Sequence, residues 1–262
     1  MVTLALYNLK GGVGKTAAAV NLAYLAARDG IPTLLWDLDP QGSATWCLGE
    51  EPASLGKQRK LLKGRTDLLD RVRETSFEHL SLLPADFENR TLDLALDDLK
   101  NSTGRFRQLV EPLADDHRLL VLDCPPSISL VSENVFHLAD HLAVPVIPTT
   151  LSMQSLELLR RHFTENGLDP DRLIPFFSMV DYRKALHREI MATSRTDRRT
   201  CRVTIPYRSA VEQMAARRAP LPVFDARGPA TQAYEALWLE LRKRAGLRRK
   251  DLAGGDVRAK AR

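Results

Sequence analysis

The sequence is short of cysteine, of long apolar runs and of internal repetition, and each shortage excludes something. Its three cysteines, Cys47, Cys124 and Cys201, are odd in number and widely scattered. They form neither a disulfide framework nor a C-x-x-C metal site, and are expected to be small buried hydrophobes. No apolar run approaches the roughly 20 residues that cross a bilayer. Met1–Asn8 has no basic n-region and no signal-like apolar stretch, so a cytoplasmic protein is expected. Beyond Arg248 the only large apolar residues are Leu252 and Val257, with no aromatic. Such a tail has no apolar face to insert into a membrane and is expected to be disordered.

What is present is an ordinary apolar fraction of 44% and an uneven charge. The net charge is +5 over 262 residues, a length that fits one large α/β domain. Basic residues gather late: Arg183, Lys184, Arg188, Arg195, Arg198, Arg199, Arg202, Arg208, Arg217 and Arg218 lie within 36 positions. A polyanionic partner would meet such a segment favourably.

Short, continuously apolar runs alternate with helix-forming segments. The runs are Val2–Tyr7, Thr33–Trp36, Leu80–Leu83, Arg118–Leu122, Leu142–Ile147 and Leu173–Val180. Their pattern predicts a mostly parallel, doubly wound central sheet with helices on both faces, an α/β fold. A helix is predicted over Thr16–Arg28, stopped by Gly30 and Pro32. Tyr234, Leu237, Trp238 and Leu241 share one face of a last helix. Residues 52–66 are polar and basic and read as a surface excursion. The expected division is a domain over 1–246 and a basic tail over 247–262.

The most informative stretch is Lys10-Gly11-Gly12-Val13-Gly14-Lys15-Thr16, set between the first strand and the first helix. Glycines permit positive φ and let backbone N–H groups close on a polyphosphate, and the helix start adds its positive dipole end. Lys15 supplies a cation for the β- and γ-phosphates, and Thr16 a hydroxyl for Mg²⁺. ATP and Mg²⁺ are therefore the expected ligands of the loop formed by Gly11, Gly12, Val13, Gly14, Lys15, Thr16 and Ala17.

Leu9 stands where the ordinary P-loop has its first glycine, and Lys10 is an additional lysine. In this the stretch resembles the deviant Walker A ATPases of the ParA/MinD group, with their K-G-G-x-G-K-[ST] signature. Asp37-Leu38-Asp39-Pro40-Gln41-Gly42 resembles the D-x-D-P-Q-G segment of that group, and Leu119–Ser127 its Walker B strand and second switch. The resemblance implies that Lys10 reaches the phosphates of a partner subunit in an ATP-bound homodimer. It gives Asp39 the water-positioning role, Asp37 a supporting place near the metal, and Asp123 a place in the Mg²⁺ shell. Lys10, Lys15 and Asp39 are thus the expected catalytic residues, and Thr16, Asp37 and Asp123 the expected metal residues. More loosely, Phe177–Arg183 and Thr204–Arg208 resemble the segments that close over adenine, which points to Met179 and Pro206. Ala17 replaces a hydroxyl residue common there, a loss of about 1 kcal/mol in nucleotide binding.

Members of the ParA type bind DNA without sequence preference as ATP dimers, through phosphate contacts. Arg195, Arg198, Arg199 and Arg202 crowd one short polar segment and are the preferred candidates here. The implied function is positioning or segregation of a plasmid, chromosomal or protein cargo. A ParB-like or cargo-adaptor protein would stimulate ATP hydrolysis, and the nucleoid would be the place of action. The alternative is an ATPase regulator or adaptor that acts through protein contacts without DNA.

Overall fold

The computed structural model describes residues 1–53, 58–64, 67–99 and 102–247. Eight strands form one sheet: β1 (Val2–Leu6), β2 (Thr33–Asp37), β3 (Arg73–Glu74), β4 (Leu80–Leu83), β5 (Leu119–Asp123), β6 (His141–Val146), β7 (Leu173–Val180) and β8 (Thr204–Pro206). Their order is β3-β4-β2-β5-β1-β6-β7-β8. Every neighbouring pair is parallel except β3 with β4. The helices of the first half are α1 (Lys15–Arg28), α2 (Ser43–Cys47), α3 (Gln58–Leu62), α4 (Leu92–Asp97), α5 (Arg105–Val110) and α6 (Leu130–Leu138). Those of the second are α7 (Thr150–Glu165), α8 (Ala185–Thr193), α9 (Ser209–Arg217), α10 (Leu221–Phe224) and α11 (Pro229–Arg244).

A strand covered on both faces must be apolar at every position, and β1 shows how the alternation is used. Leu4 and Leu6 join one core, packed with Leu22 and Leu25 of α1 and with Tyr234, Leu237 and Trp238 of α11. Ala5 and Tyr7 join the opposite core, with Phe136 of α6 and Leu159 and Phe163 of α7. Tyr7 and Phe136 meet edge to face, their ring centroids 4.8 Å apart. Each fully buried Leu or Phe contributes roughly 1.5–3 kcal/mol over an exposed one. At the far end of α1, Asp29 accepts from the Trp238 indole at 2.9 Å and from Arg242 at 2.7 Å, which fixes α11 across α1.

The six apolar runs are all strands, with ends shifted by one residue in some of them. Two strands lay beyond that pattern. β3 has two polar residues, and β8 is a Thr-Ile-Pro triplet with no apolar run. The segment read as a surface excursion is only partly one, because α3 sends Leu61 and Leu62 into the core. All three cysteines are free and buried. The tail assigned from position 247 lies outside the described residues after Leu247. Among the described residues no helix is long and apolar enough to cross a membrane.

Candidate nucleotide site

The site sits where the carboxyl ends of the central strands converge. The registers of β1, β5 and β2 place Leu6 beside Asp123 and Asp123 beside Asp37. β1 runs into the glycine turn, and α1 starts directly behind it at Lys15. Gly12 and Gly14 hold φ of 69° and 91°, which side chains with a β-carbon rarely adopt. At Gly14 a β-carbon would also come within 2.9 Å of the Ser178 hydroxyl. The loop is braced from below, since Asn8 donates to the Pro145 carbonyl at 2.7 Å and accepts from the Lys10 N–H at 2.9 Å.

A cavity of about 360 Å³ opens over this turn. One end is walled by Gly11, Gly12, Gly14, Lys15, Thr16 and Asp39. The other is walled by Met179, Ile205, Pro206, Tyr207 and Arg208, with Val211 and Glu212 of α9 behind them. The structure thus joins Met179 and Pro206 to the P-loop in a single cleft, with Ala17 also on its wall. Val13 is buried and contributes no side chain to the wall. Val211, Glu212 and Ser43 were not anticipated as lining residues. Arg208, Val211 and Glu212 follow helical spacing after Pro206, the one signal in the sequence that could have pointed to them. Tyr234, anticipated only as core, also reaches the wall.

The charges below the loop are arranged unequally. Lys15 is buried, and its Nζ donates to the Lys10 carbonyl at 3.1 Å. Burial lowers its pKa, against the opposing pull of Asp123. Asp37 is buried and engaged: Oδ2 accepts from the Thr45 N–H and hydroxyl, both at 2.8 Å, and Oδ1 accepts from the Asp39 N–H at 3.2 Å. Burial nevertheless pushes its pKa up to about 6. Asp39 is half-buried on the cavity wall, its Oδ1 accepting from the Gln41 N–H at 3.0 Å.

Asp123 differs from both. It is fully buried, yet neither carboxylate oxygen has a hydrogen-bond partner among the described residues. Burial, and then the Asp37 charge, raise its pKa well above the carboxylate range, while the neighbouring Thr16 hydroxyl and Lys15 pull it down. A buried carboxylate left without donors is rare and calls for a ligand. An oxygen-preferring cation beside Thr16 fits that description, so the residues present suit Mg²⁺.

Of the four arginines expected to meet a polyanion, Arg198, Arg199 and Arg202 are not on the wall of this cleft. Arg198 and Arg199 are exposed, Arg199 pairing with Asp171 at 2.7 Å. Arg202 is exposed with its backbone N–H held by Glu240, and the side chain of Arg195 lies outside the described set.

A family model described as an AAA domain matches residues 1–166. The chain belongs to this family, among its ParA/Soj-like P-loop ATPases. Similarity extends well past the matched segment. The chromosome partitioning protein ParA of Myxococcus xanthus is 28% identical over 244 residues, 90% of this chain and 86% of that one. The sporulation initiation inhibitor protein Soj of Bacillus subtilis is 27% identical over 238 residues, 88% of this chain and 94% of the other. The crystal structure of a plasmid partition protein from Borrelia burgdorferi bound to AMPPNP is 21% identical and superposes with a TM-score of 0.79. The match covers 92% of this chain and 99% of that one. At that identity the superposition shows the fold alone, a mostly parallel sheet enclosed by helices.

Proposed function

We propose that this ParA/Soj-like ATPase binds ATP with Mg²⁺, dimerises around it, binds DNA without sequence preference, and hydrolyses ATP when a partner protein stimulates it. The observation that carries the reading is the carboxylate of Asp123, buried with no hydrogen-bond partner among the described residues and next to Thr16 and Lys15 of a glycine turn that lines the cleft. The N–H groups of Gly11 to Thr16 would cradle the phosphates, with Lys15 as the cation facing the β- and γ-phosphates. Thr16 and Asp123 would hold Mg²⁺, which offsets phosphate charge when bound; Asp37 would support Asp123 from the neighbouring strand. The base would lie between Met179 and Pro206, where the cleft turns apolar.

Asp39 stands on the cavity wall at the phosphate end and would orient the attacking water. Water adds to the γ-phosphorus, the bond to the β–γ bridging oxygen breaks, and ADP and phosphate leave. Lys10 is only half-buried and its side chain lies off the cavity wall. A lysine so placed can serve the cleft of a second copy, and that is the role proposed for it. The exposed Arg198, Arg199 and Arg202, with Arg195, are the proposed DNA contacts. The cargo would be a plasmid, a chromosomal region or a protein, through a ParB-like or adaptor partner in the cytoplasm over the nucleoid.

The decisive experiment is size-exclusion chromatography with light scattering, together with a gel shift on nonspecific DNA. Both are run with ATP, ADP and a nonhydrolysable analogue at several salt concentrations. Dimer and shift are expected only with triphosphate, with the shift weakening steeply in salt. A protein that stays monomeric in every nucleotide state refutes the proposal.

A further inference from the structure

Trp46 lies in α2, the short helix that follows the Asp39 loop. It is 39% exposed, yet held on two sides. Its indole N–H donates to the Ala215 carbonyl of α9 at 2.8 Å. The guanidinium of Arg218 lies over its ring, 4.1 Å from the centroid. Arg218, just past the end of α9, also donates to the Glu50 carbonyl at 2.9 Å and pairs with Glu51 at 3.1 Å. To do so it takes φ of 51°, in the left-handed region where a residue with a β-carbon is uncommon.

Both ends of this contact reach the nucleotide cleft. α9 provides Val211 and Glu212 to the base end. α2 begins at Ser43, which together with Asp39 lines the phosphate end. Between them stands Gly42 at φ 66°, where a β-carbon would come within 2.7 Å of Pro52, so the turn is wedged. On its inner side α2 is pinned through Thr45, whose hydroxyl donates to Asp37 and accepts from the Ala85 N–H, both at 2.8 Å. The outer side has the Trp46–Arg218 contact. The loop that carries Asp39 is therefore fixed from below by the sheet and from the side by the wall of the base pocket.

We propose that Trp46 and Arg218 are positioning residues for hydrolysis: their clamp sets the Asp39 loop against α9, so that a base seated on α9 also sets the geometry at the phosphate end. The inference rests on the ATPase reading above. A side chain held away from the reacting atoms can act this way because small displacements of a water-orienting group are costly to turnover and cheap to ground-state binding.

The test uses the full chain and the variants Trp46→Phe, Arg218→Gly and Arg218→Lys. Glycine is at ease at positive φ, so Arg218→Gly removes the side chain without adding backbone strain. Lysine keeps a charge for Glu51 but loses the flat stack on the indole. Affinity for a nonhydrolysable ATP analogue is expected to stay within about twofold of the parent, while kcat falls on the order of tenfold in Trp46→Phe and Arg218→Gly and less in Arg218→Lys. The parent's tryptophan emission is expected to change with triphosphate, and Trp46→Phe to lose that change. Unaltered kcat in both severe variants overturns the clamp, as does a parallel loss of affinity, kcat and Tm, which marks a merely structural contact. A parent that takes up no ATP overturns the ATPase reading and the clamp with it. A parent that turns over ATP alongside unaffected variants overturns the clamp alone.

Discussion

Replacing Asp123 by Asn should make the nucleotide-free protein more stable while it abolishes the use of Mg²⁺. Asp123 and Asp37 sit on adjacent strands in direct register, both without exposure to solvent. Strands lie about 4.8 Å apart, and ionising both carboxyls near that separation would cost about 3 kcal/mol at an effective dielectric constant of 20, a cost that Asp123 limits by keeping its proton. An asparagine removes this term and the burial cost of the charge, but leaves a buried amide short of partners, a loss of roughly 1–2 kcal/mol. A net gain of about 1–2 kcal/mol corresponds to a Tm rise of about 2–8 °C in a chain of this size.

The pH dependence supplies a second check on the same substitution. Both carboxyls have pKa values raised above their unfolded values, Asp37 to about 6. The folded protein therefore keeps protons that the unfolded chain has released. The stability they contribute is full below about pH 4 and is lost as pH rises through about 6 and beyond. Burial lowers the pKa values of His141 and His187, which tilts the curve the opposite way over the same range. The quantity to read is thus the difference in Tm between variant and parent, followed from pH 5 to 8 in EDTA. It should grow with pH. A variant less stable than the parent at pH 7.5, or a difference that is flat in pH, refutes the reasoning.

Other substitutions address the cleft directly. Lys10→Ala is expected to keep ATP affinity within about threefold while losing stimulated turnover by more than about a hundredfold, the scale of a cation supplied in trans; ordinary turnover would show that the lysine has another task. Asp39→Ala should bind ATP and accumulate as a long-lived dimer on DNA, seen by light scattering and gel shift, and phosphate release at the parental rate contradicts that. Gly14→Ala should lose nucleotide binding and some stability together, because φ of 91° and the Ser178 hydroxyl 2.9 Å away both oppose a β-carbon; calorimetry with ATP reads the first and a melting curve the second.

The parallel sheet was legible because burial on both faces demands unbroken apolar runs, and Thr33–Trp36 or Leu80–Leu83 have no other simple use. The glycine turn was legible because few backbones need three glycines before Lys-Thr. β3 and β8 were not. Two polar residues and a Thr-Ile-Pro segment carry no periodicity, and only pairing to β4 and β7 makes strands of them. Leu61 and Leu62 were hidden by their polar neighbours, since composition averaged over 52–66 conceals one apolar turn. In the site, Lys15, Thr16, Asp39, Met179 and Pro206 could be named in advance from their motifs. Val211 and Glu212 had only helical spacing after Pro206 to mark them, because α9 reaches the cleft only once β8 has brought it there. That Asp123 lacks donors among the described residues while its neighbour Asp37 has three is a property of packing, invisible in two similar strand ends.

The borders of the sheet have a consequence for how copies of this chain could associate. At one border stands a reversed ribbon of two residues, at the other a three-residue strand that closes with an imino acid unable to donate. Neither offers the long, flat row of free amides on which a foreign strand could grow. Ribbon-to-ribbon fusion into a continuous sheet, and the fibrous aggregation that follows from it, are discouraged by the fold itself. Two molecules that meet must do so through loops and helix surfaces, contacts that can be made and released without unzipping any backbone.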